Sequence, residues 1–191
     1  ITDTGVQISG RTVSTKFFTV KLDKDYNIVS IFDKKNHREV IKNGAKANQF
    51  MVLEDYNDCY PTWELQMSSR DKQYNIDTVS DIYEINDGAR RGIHVTRTHQ
   101  DSVIEQIMWF YADMPKIDFE TKVNWHQIKQ ILKVSFPVDI NADKASYEIQ
   151  FGTIERPTHF NTTWDQAKFE VCGHKWVDVS EYGYGVALLN D

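Results

Sequence analysis

Apolar and polar residues alternate with a period of two along most of the chain. From Ile117 to Trp125 the order is Ile, Asp, Phe, Glu, Thr, Lys, Val, Asn, Trp, and only Thr121 interrupts the apolar series. Residues 132–138 (Leu132-Lys133-Val134-Ser135-Phe136-Pro137-Val138) alternate without a break. Alternation turns successive side chains to opposite faces, so each stretch reads as a strand with one face on a core and one in water. Runs of the same kind at 17–22, 28–32, 49–53, 78–85, 93–98, 103–111, 147–151 and 184–189 predict further strands.

Polar turn signals separate these runs. Asp23-Lys24-Asp25-Tyr26-Asn27 reads as a hairpin loop. Asn86-Asp87-Gly88 supplies an Asp-Gly step that tolerates positive φ. Ala112-Asp113-Met114-Pro115 closes the next pair. No stretch of ten or more residues carries a clean helical period, and no internal repeat is visible. Short strands joined by polar turns predict an all-β fold, an antiparallel β-sandwich. Residues 153–176 break the alternation and are dense in polar and aromatic side chains. They are expected to be irregular, and loops carry function more often than strands.

A length of 191 residues fits one domain or part of a larger one. The 22 basic and 28 acidic residues give a net charge of −6, which disfavours binding to nucleic acid phosphates and a polybasic role at a membrane surface. No apolar run approaches the ~20 residues of a membrane helix, so no membrane partner is expected. The chain opens at Ile1 rather than Met and carries no signal peptide, which points to a processed or excised chain. Cys59 and Cys172 lie far apart with no paired spacing. They read as free thiols in a reducing compartment, so a cytoplasmic location is expected; a long-range disulfide is the alternative.

The search for chemistry begins with metal. His94 and His99 lie five apart on a predicted strand and so face opposite ways. No HxH, HExxH or CxxC pattern occurs, and no metal ligand set is expected from this chain. A GxSxG elbow and a glycine-rich phosphate loop are also missing. Cys172, two residues before His174, reads as a buried thiol on a strand.

Two clusters remain. Residues 54–64, Glu54 to Glu64, mix acids with the rings of Tyr56, Tyr60 and Trp63. Sugar sites use such a mixture, because rings stack on sugar faces and carboxylates accept from hydroxyls. A polar surface loop with aromatic anchors has the same composition. The second cluster runs from Arg156 to Asp165. Arg156 can donate a planar fork to a carboxylate or to vicinal hydroxyls. His159 and Asn161 add polar groups and Trp164 a stacking face. A structural loop in which Arg pairs Asp and Trp plugs a core is the plainer reading. Asn161-Thr162-Thr163 fits the N-glycosylation pattern, which is idle in a reducing compartment.

The second cluster opens a longer motif: Arg156-Pro157-Thr158-His159, Asn161-Thr162-Thr163-Trp164-Asp165, and Phe169 through Asp178 (Phe-Glu-Val-Cys-Gly-His-Lys-Trp-Val-Asp). It closes with Ser180-Glu181 and Tyr184 through Asp191. This stretch resembles family 38 glycoside hydrolases, the α-mannosidases, in their bacterial and cytosolic branch. Asn27 through Lys34 is similar to an early hairpin of that family's C-terminal β domain. Thr163 stands where the family usually has Ser, and Val179 where it has Leu. At the first cluster the family carries an aromatic-Asp-Ala-Trp-Asp motif. Here Tyr60-Pro61-Thr62-Trp63-Glu64 takes that place, so Trp63 matches, Glu64 substitutes closely, and Pro61 replaces an acid.

The resemblance implies a galactose-mutarotase-like supersandwich spanning residues 1–191, incomplete at both ends, from the C-terminal region of an α-mannosidase. It also implies an N-terminal α/β catalytic domain, absent here, that holds Zn2+ and an Asp nucleophile and hydrolyses terminal α-mannosides with retention. On that reading this segment binds no cofactor, holds no catalytic residue, and is inactive alone. Its partners are the catalytic domain and the α-mannoside, and a homo-oligomer is compatible with the family. Tyr60, Trp63, Glu64, Arg156, His159, Trp164 and His174 become candidates for substrate contact or the domain interface. The alternative is an independent carbohydrate-binding or mutarotase-like sandwich, using His159 or His174 with Glu155 or Glu170 as base and partner.

Overall fold

The computed structural model describes residues 5–56, 60 and 63–190. Cys59 and the residues Asn57, Asp58, Pro61 and Thr62 of the first cluster lie outside the described residues. The first five strands are β1 (Gln7–Ser9), β2 (Thr12–Ser14), β3 (Phe18–Leu22), β4 (Ile28–Asp33) and β5 (Arg38–Glu39). They are followed by β6 (Gln49–Glu54), β7 (Gln73–Asn75), β8 (Val79–Asn86), β9 (Arg90–His99) and β10 (Ser102–Tyr111). Then come β11 (Ile117–Asn124), β12 (Gln130–Ser135), β13 (Lys144–Ile149), β14 (Gly152–Pro157), β15 (Trp176–Glu181) and β16 (Tyr184–Leu189). A 3₁₀ turn at Met67–Asp71 and a short helix α1 at Thr163–Ala167 complete the elements.

All strand pairs are antiparallel and form four sheets. The first is the meander β1-β2-β3-β4-β5, and the second has the order β11-β10-β9-β8. The third is β12-β6-β7 and the fourth β14-β13-β15-β16. The expected hairpin loop at 23–27 joins β3 to β4, with Asp23 Oδ1 accepting the amides of Asp25 and Asn27 at 2.9 Å each. Burial alone would raise the Asp23 pKa; hydrogen bonds from Lys46, Asn27 and Asp25 overcome it and hold the carboxyl below its ordinary value.

The core follows from one face of the β9–β10 hairpin. Its register pairs Ile93 with Met108, Val95 with Gln106 and Arg97 with Ile104, so these residues share a face. Ile93, Val95, Met108 and Phe110 pack with Val13, Val20 and Ile28 of the first sheet. Further along the same face, Ile104 packs with Phe50, Val52 and Ile76 beside the third sheet. A buried polar row lies among these contacts. Asn48 Nδ2 donates to Gln106 Oε1 at 2.6 Å, and Gln106 Nε2 returns a bond to Asn48 Oδ1 at 3.1 Å. Arg97 is 2% exposed and donates through Nη2 to Asn27 Oδ1 at 3.3 Å. Burial pushes the Arg97 pKa down, against the fields of Asp23, Asp77 and Asp25.

The predicted histidine geometry has a structural use. His94 is buried and stacks on Tyr83 at 4.3 Å, whereas His99 stacks on Trp125 at 5.8 Å and bonds Gln130 at 3.0 Å. Beside His94, Trp109 lies close over Gly92, where a Cβ would come within 2.8 Å of the indole.

The fourth sheet differs in kind. Ala145 is its one buried hydrophobic residue. Tyr184 and Val186 touch the main core from its edge. A polar staple supplies the remaining hold. Arg38 Nη1 donates to Glu181 Oε1 at 2.5 Å and Nη2 to the Asp139 carbonyl at 2.6 Å. The same guanidinium lies 4.5 Å from the Tyr184 ring centroid, and Tyr184 donates its hydroxyl to Asp33 Oδ2 at 3.3 Å.

Two expectations need correction. Residues 153–176 are not irregular throughout: they contain most of β14 and all of α1. The β14 strand is exposed at every position but Arg156, so it needs no apolar alternation and shows none. Cys172 is exposed and sits between α1 and β15, not buried on a strand.

Unequal burial makes a prediction. Backbone amides of β13–β16 will exchange with solvent faster than those of β9 and β10 by hydrogen exchange, because local opening is easiest where few apolar contacts are lost. Phe110→Ala, at a side chain 1% exposed, will lower the unfolding free energy in urea by about 3–5 kcal/mol.

Candidate functional site

The first cluster leaves the third sheet after β6. The amides of Trp63 and Glu64 both donate to the Tyr60 carbonyl at 3.2 Å. The Tyr60 and Trp63 rings lie 6.4 Å apart and 17° from parallel. Trp63 is 87% exposed, so the indole is not a core plug. Beside this pair, Tyr74 donates to Glu54 Oε1 at 3.1 Å, and the bond raises the Tyr74 pKa. Lys72 lies 5.2 Å from the Tyr56 ring, and Lys129 lies 5.8 Å from it.

The second cluster begins on β14. Pairing of Ala145 with Arg156 fixes the arginine at the strand's end. Its Nη2 donates to the Cys172 carbonyl at 3.0 Å, and the guanidinium lies 5.6 Å from the Tyr147 ring. The arginine therefore fastens the chain after α1 back onto the fourth sheet. Arg156, His159, Asp165 and Lys168 line one small pocket.

A capping box starts α1. Thr162 Oγ1 accepts the Asp165 amide at 3.2 Å, and Asp165 Oδ2 accepts the Thr162 amide at 3.1 Å. Asp165 Oδ2 also takes the Thr162 hydroxyl at 2.7 Å and stands 3.6 Å from His159 Nδ1. The Thr162 hydroxyl is the main cause holding the Asp165 carboxyl below its ordinary value. Trp164, one residue before Asp165, is 77% exposed.

Arg156 and His159 thus share one pocket with Asp165, and Trp164 is not among its lining residues. His174 does not join their pocket. Its amide donates to the Glu148 carbonyl at 3.1 Å, at the far end of β13, and its side chain is exposed. The base-and-acid pairs of the alternative reading do not form. Glu155 is bound to Lys144 at 2.9 Å, Glu170 is bound to Lys133, and His159 faces Asp165 instead. Among the described residues, no group of three or more His, Cys, Asp and Glu side chains could hold a metal ion.

One link was not legible in the sequence. Arg70, on the 3₁₀ turn that follows Trp63, lies 5.5 Å from the Phe160 ring and 5.8 Å from the Phe169 ring. Lys133 on β12 adds the ion pair to Glu170. The third sheet and the α1 segment are therefore tied together.

Residues 13–191 match the family model for the glycosyl hydrolases family 38 C-terminal domain. The chain belongs to this family. It is 38% identical over 188 residues to Alpha-mannosidase G of Dictyostelium discoideum, covering 94% of this chain and 17% of that protein. It is 34% identical over 189 residues to human Alpha-mannosidase 2C1, covering 94% of this chain and 18% of that protein. An alpha-mannosidase of Saccharomyces cerevisiae is 39% identical over 160 residues, covering 78% of this chain and 15% of its own length. The chain thus spans less than a fifth of the curated relatives it matches. The crystal structure of an alpha-mannosidase from Enterococcus faecalis superposes with a TM-score of 0.75 over 97% of this chain and 24% of that one. At 15% identity that likeness is one of fold.

The family 38 motif converges on Asp165, and this yields a pH prediction. Its folded pKa lies below the unfolded value, so its contribution to α1 is present above the ordinary value of 3.8 and is lost as pH falls through the depressed folded value. Thr162→Ala will move the Asp165 carboxyl back toward 3.8 in a carbon-detected NMR titration and weaken the α1 amide protection.

Proposed function

We propose that this chain is the non-catalytic β-sandwich segment of a retaining α-mannosidase that hydrolyses terminal α-mannosides. The match of residues 13–191 to the family 38 C-terminal domain carries the reading, and the α-mannosidase relatives support it. In the whole protein the segment supports an N-terminal catalytic domain, and its two exposed clusters line the substrate cleft or hold the domain interface. The Trp63 and Trp164 rings offer faces to a sugar, and Tyr60 stacks behind Trp63. Arg156 holds the α1 segment in place.

Chemistry is assigned to the other domain. A retaining glycosidase needs two carboxyl groups about 5–5.5 Å apart, one as nucleophile and one as acid. The acids in and beside the second cluster are engaged elsewhere: Glu155 with Lys144, Glu170 with Lys133, Asp165 with Thr162. The family's zinc belongs with the nucleophile, and the described residues offer it no ligand set. A cytoplasmic location agrees with the free, exposed Cys172. No described helix is long and apolar enough to cross a membrane. A homo-oligomer of the whole enzyme is compatible with the family.

The test is hydrolysis of an aryl α-mannoside with added zinc, by the 191-residue chain and by the full-length protein in parallel. Activity is expected only in the full-length protein; turnover by the short chain would overturn the reading. In the full-length protein, Trp63→Ala and Arg156→Ala are expected to lower kcat/KM or thermal stability. If both variants match the wild type in both, the clusters have no such role.

A further inference from the structure

The geometry points to Arg70 as a positioning residue that holds the two exposed clusters in one mannoside-facing surface. The inference rests on the accessory-segment reading and assigns the clusters to the substrate side.

In the first cluster Trp63 stays largely in solvent. The α1 helix has five residues and none of them is buried. Isolated helices this short do not persist in water, so the orientation of Trp164 depends on what grips the chain around it. Phe160 precedes α1 and Phe169 follows it. The Arg70 guanidinium lies within 6 Å of both rings, so one planar cation grips both ends of the excursion that carries Trp164.

The base on which Arg70 stands is firm. Ser69 beside it is 5% exposed, its amide donates to the Gln66 carbonyl at 3.0 Å, and its carbonyl accepts from Lys72 at 3.3 Å. The next strand, β7, pairs with β6 of the third sheet. The turn is thus fastened to the sheet from which the Trp63 segment departs. Arg70 extends that fixed frame to the α1 segment of the fourth sheet, which has little core of its own. A lysine would keep the charge, but its ammonium has no plane to share between two rings.

The full-length enzyme tests this with an aryl α-mannoside as probe. Arg70→Ala is expected to raise KM about three- to ten-fold while kcat stays within about two-fold and the melting temperature within about 2 °C. Arg70→Lys should fall between wild type and Arg70→Ala. Phe160→Leu keeps the apolar contact and removes a ring; it should reproduce the KM rise and add little on top of Arg70→Ala. If Arg70→Ala unfolds the protein, Phe160→Leu decides alone: a KM rise at unchanged melting temperature supports the role, and an unchanged KM overturns it. A wild-type KM in Arg70→Ala, with Trp63→Ala and Trp164→Ala both raising KM, overturns the positioning role and leaves the accessory reading intact. A wild-type KM in all three removes the substrate-facing surface itself. A fall in kcat alone also overturns the inference.

Discussion

One face of the β9–β10 hairpin has to be covered by two different sheets. The first sheet covers the half bearing Ile93, Val95, Met108 and Phe110. The third covers the neighbourhood of Ile104. Neither covering sheet spans the whole face, so their junction falls inside the protein. Polar side chains then meet in a buried seam, where an unpaired donor is costly. Asn27, from the loop before β4, accepts from Arg97 Nη2, and Asn48, from the link before β6, pairs with Gln106, while Arg97 Nη1 has no partner there.

The fourth sheet lies beyond the seam and has a different physics. It replaces hydrophobic area with directional contacts: Arg38 to Glu181 and Asp139, Tyr184 to Asp33, Lys133 to Glu170. Such contacts fix orientation well and contribute modest stability, because ions at a surface remain solvated. The α1 segment, with Arg156 and Trp164, rides on this oriented but lightly anchored sheet. Exposed aromatic side chains on a well-oriented, shallow platform suit a surface that another domain or a sugar completes.

The architecture was legible because alternation marks strands: β6 and β10 carry buried residues, and β11 and β12 alternate in sequence although each of their residues is half-buried or exposed. Strands whose sequence does not alternate left no trace. β7 is exposed at all three positions and β14 at nearly all, so their hydrogen-bonded pairing was invisible to patterning. Within the site, the Arg156 cluster was legible as a motif because its residues are close in the chain. Arg70 was not, because its partners Phe160 and Phe169 lie 90 and 99 positions away and Met67-Ser68-Ser69-Arg70-Asp71 has the composition of any polar turn. Cys172 was read as a strand residue from its i, i+2 spacing to His174; Gly173, set close against Tyr147, instead marks a connection folded against the fourth sheet.

The reciprocal amide pair of Asn48 and Gln106 has an evolutionary consequence. Each amide both gives and receives, and Gln106 also reaches Thr121 at 3.0 Å, so no single replacement leaves the others satisfied. The positions are epistatic. A lineage that loses one of them must change its partner in the same step or pass through a less stable ancestor. Two apolar residues arriving together would meet no such barrier. Among homologues, Asn48 and Gln106 should therefore vary as a pair, and the seam should evolve in jumps while the apolar core around it drifts one residue at a time.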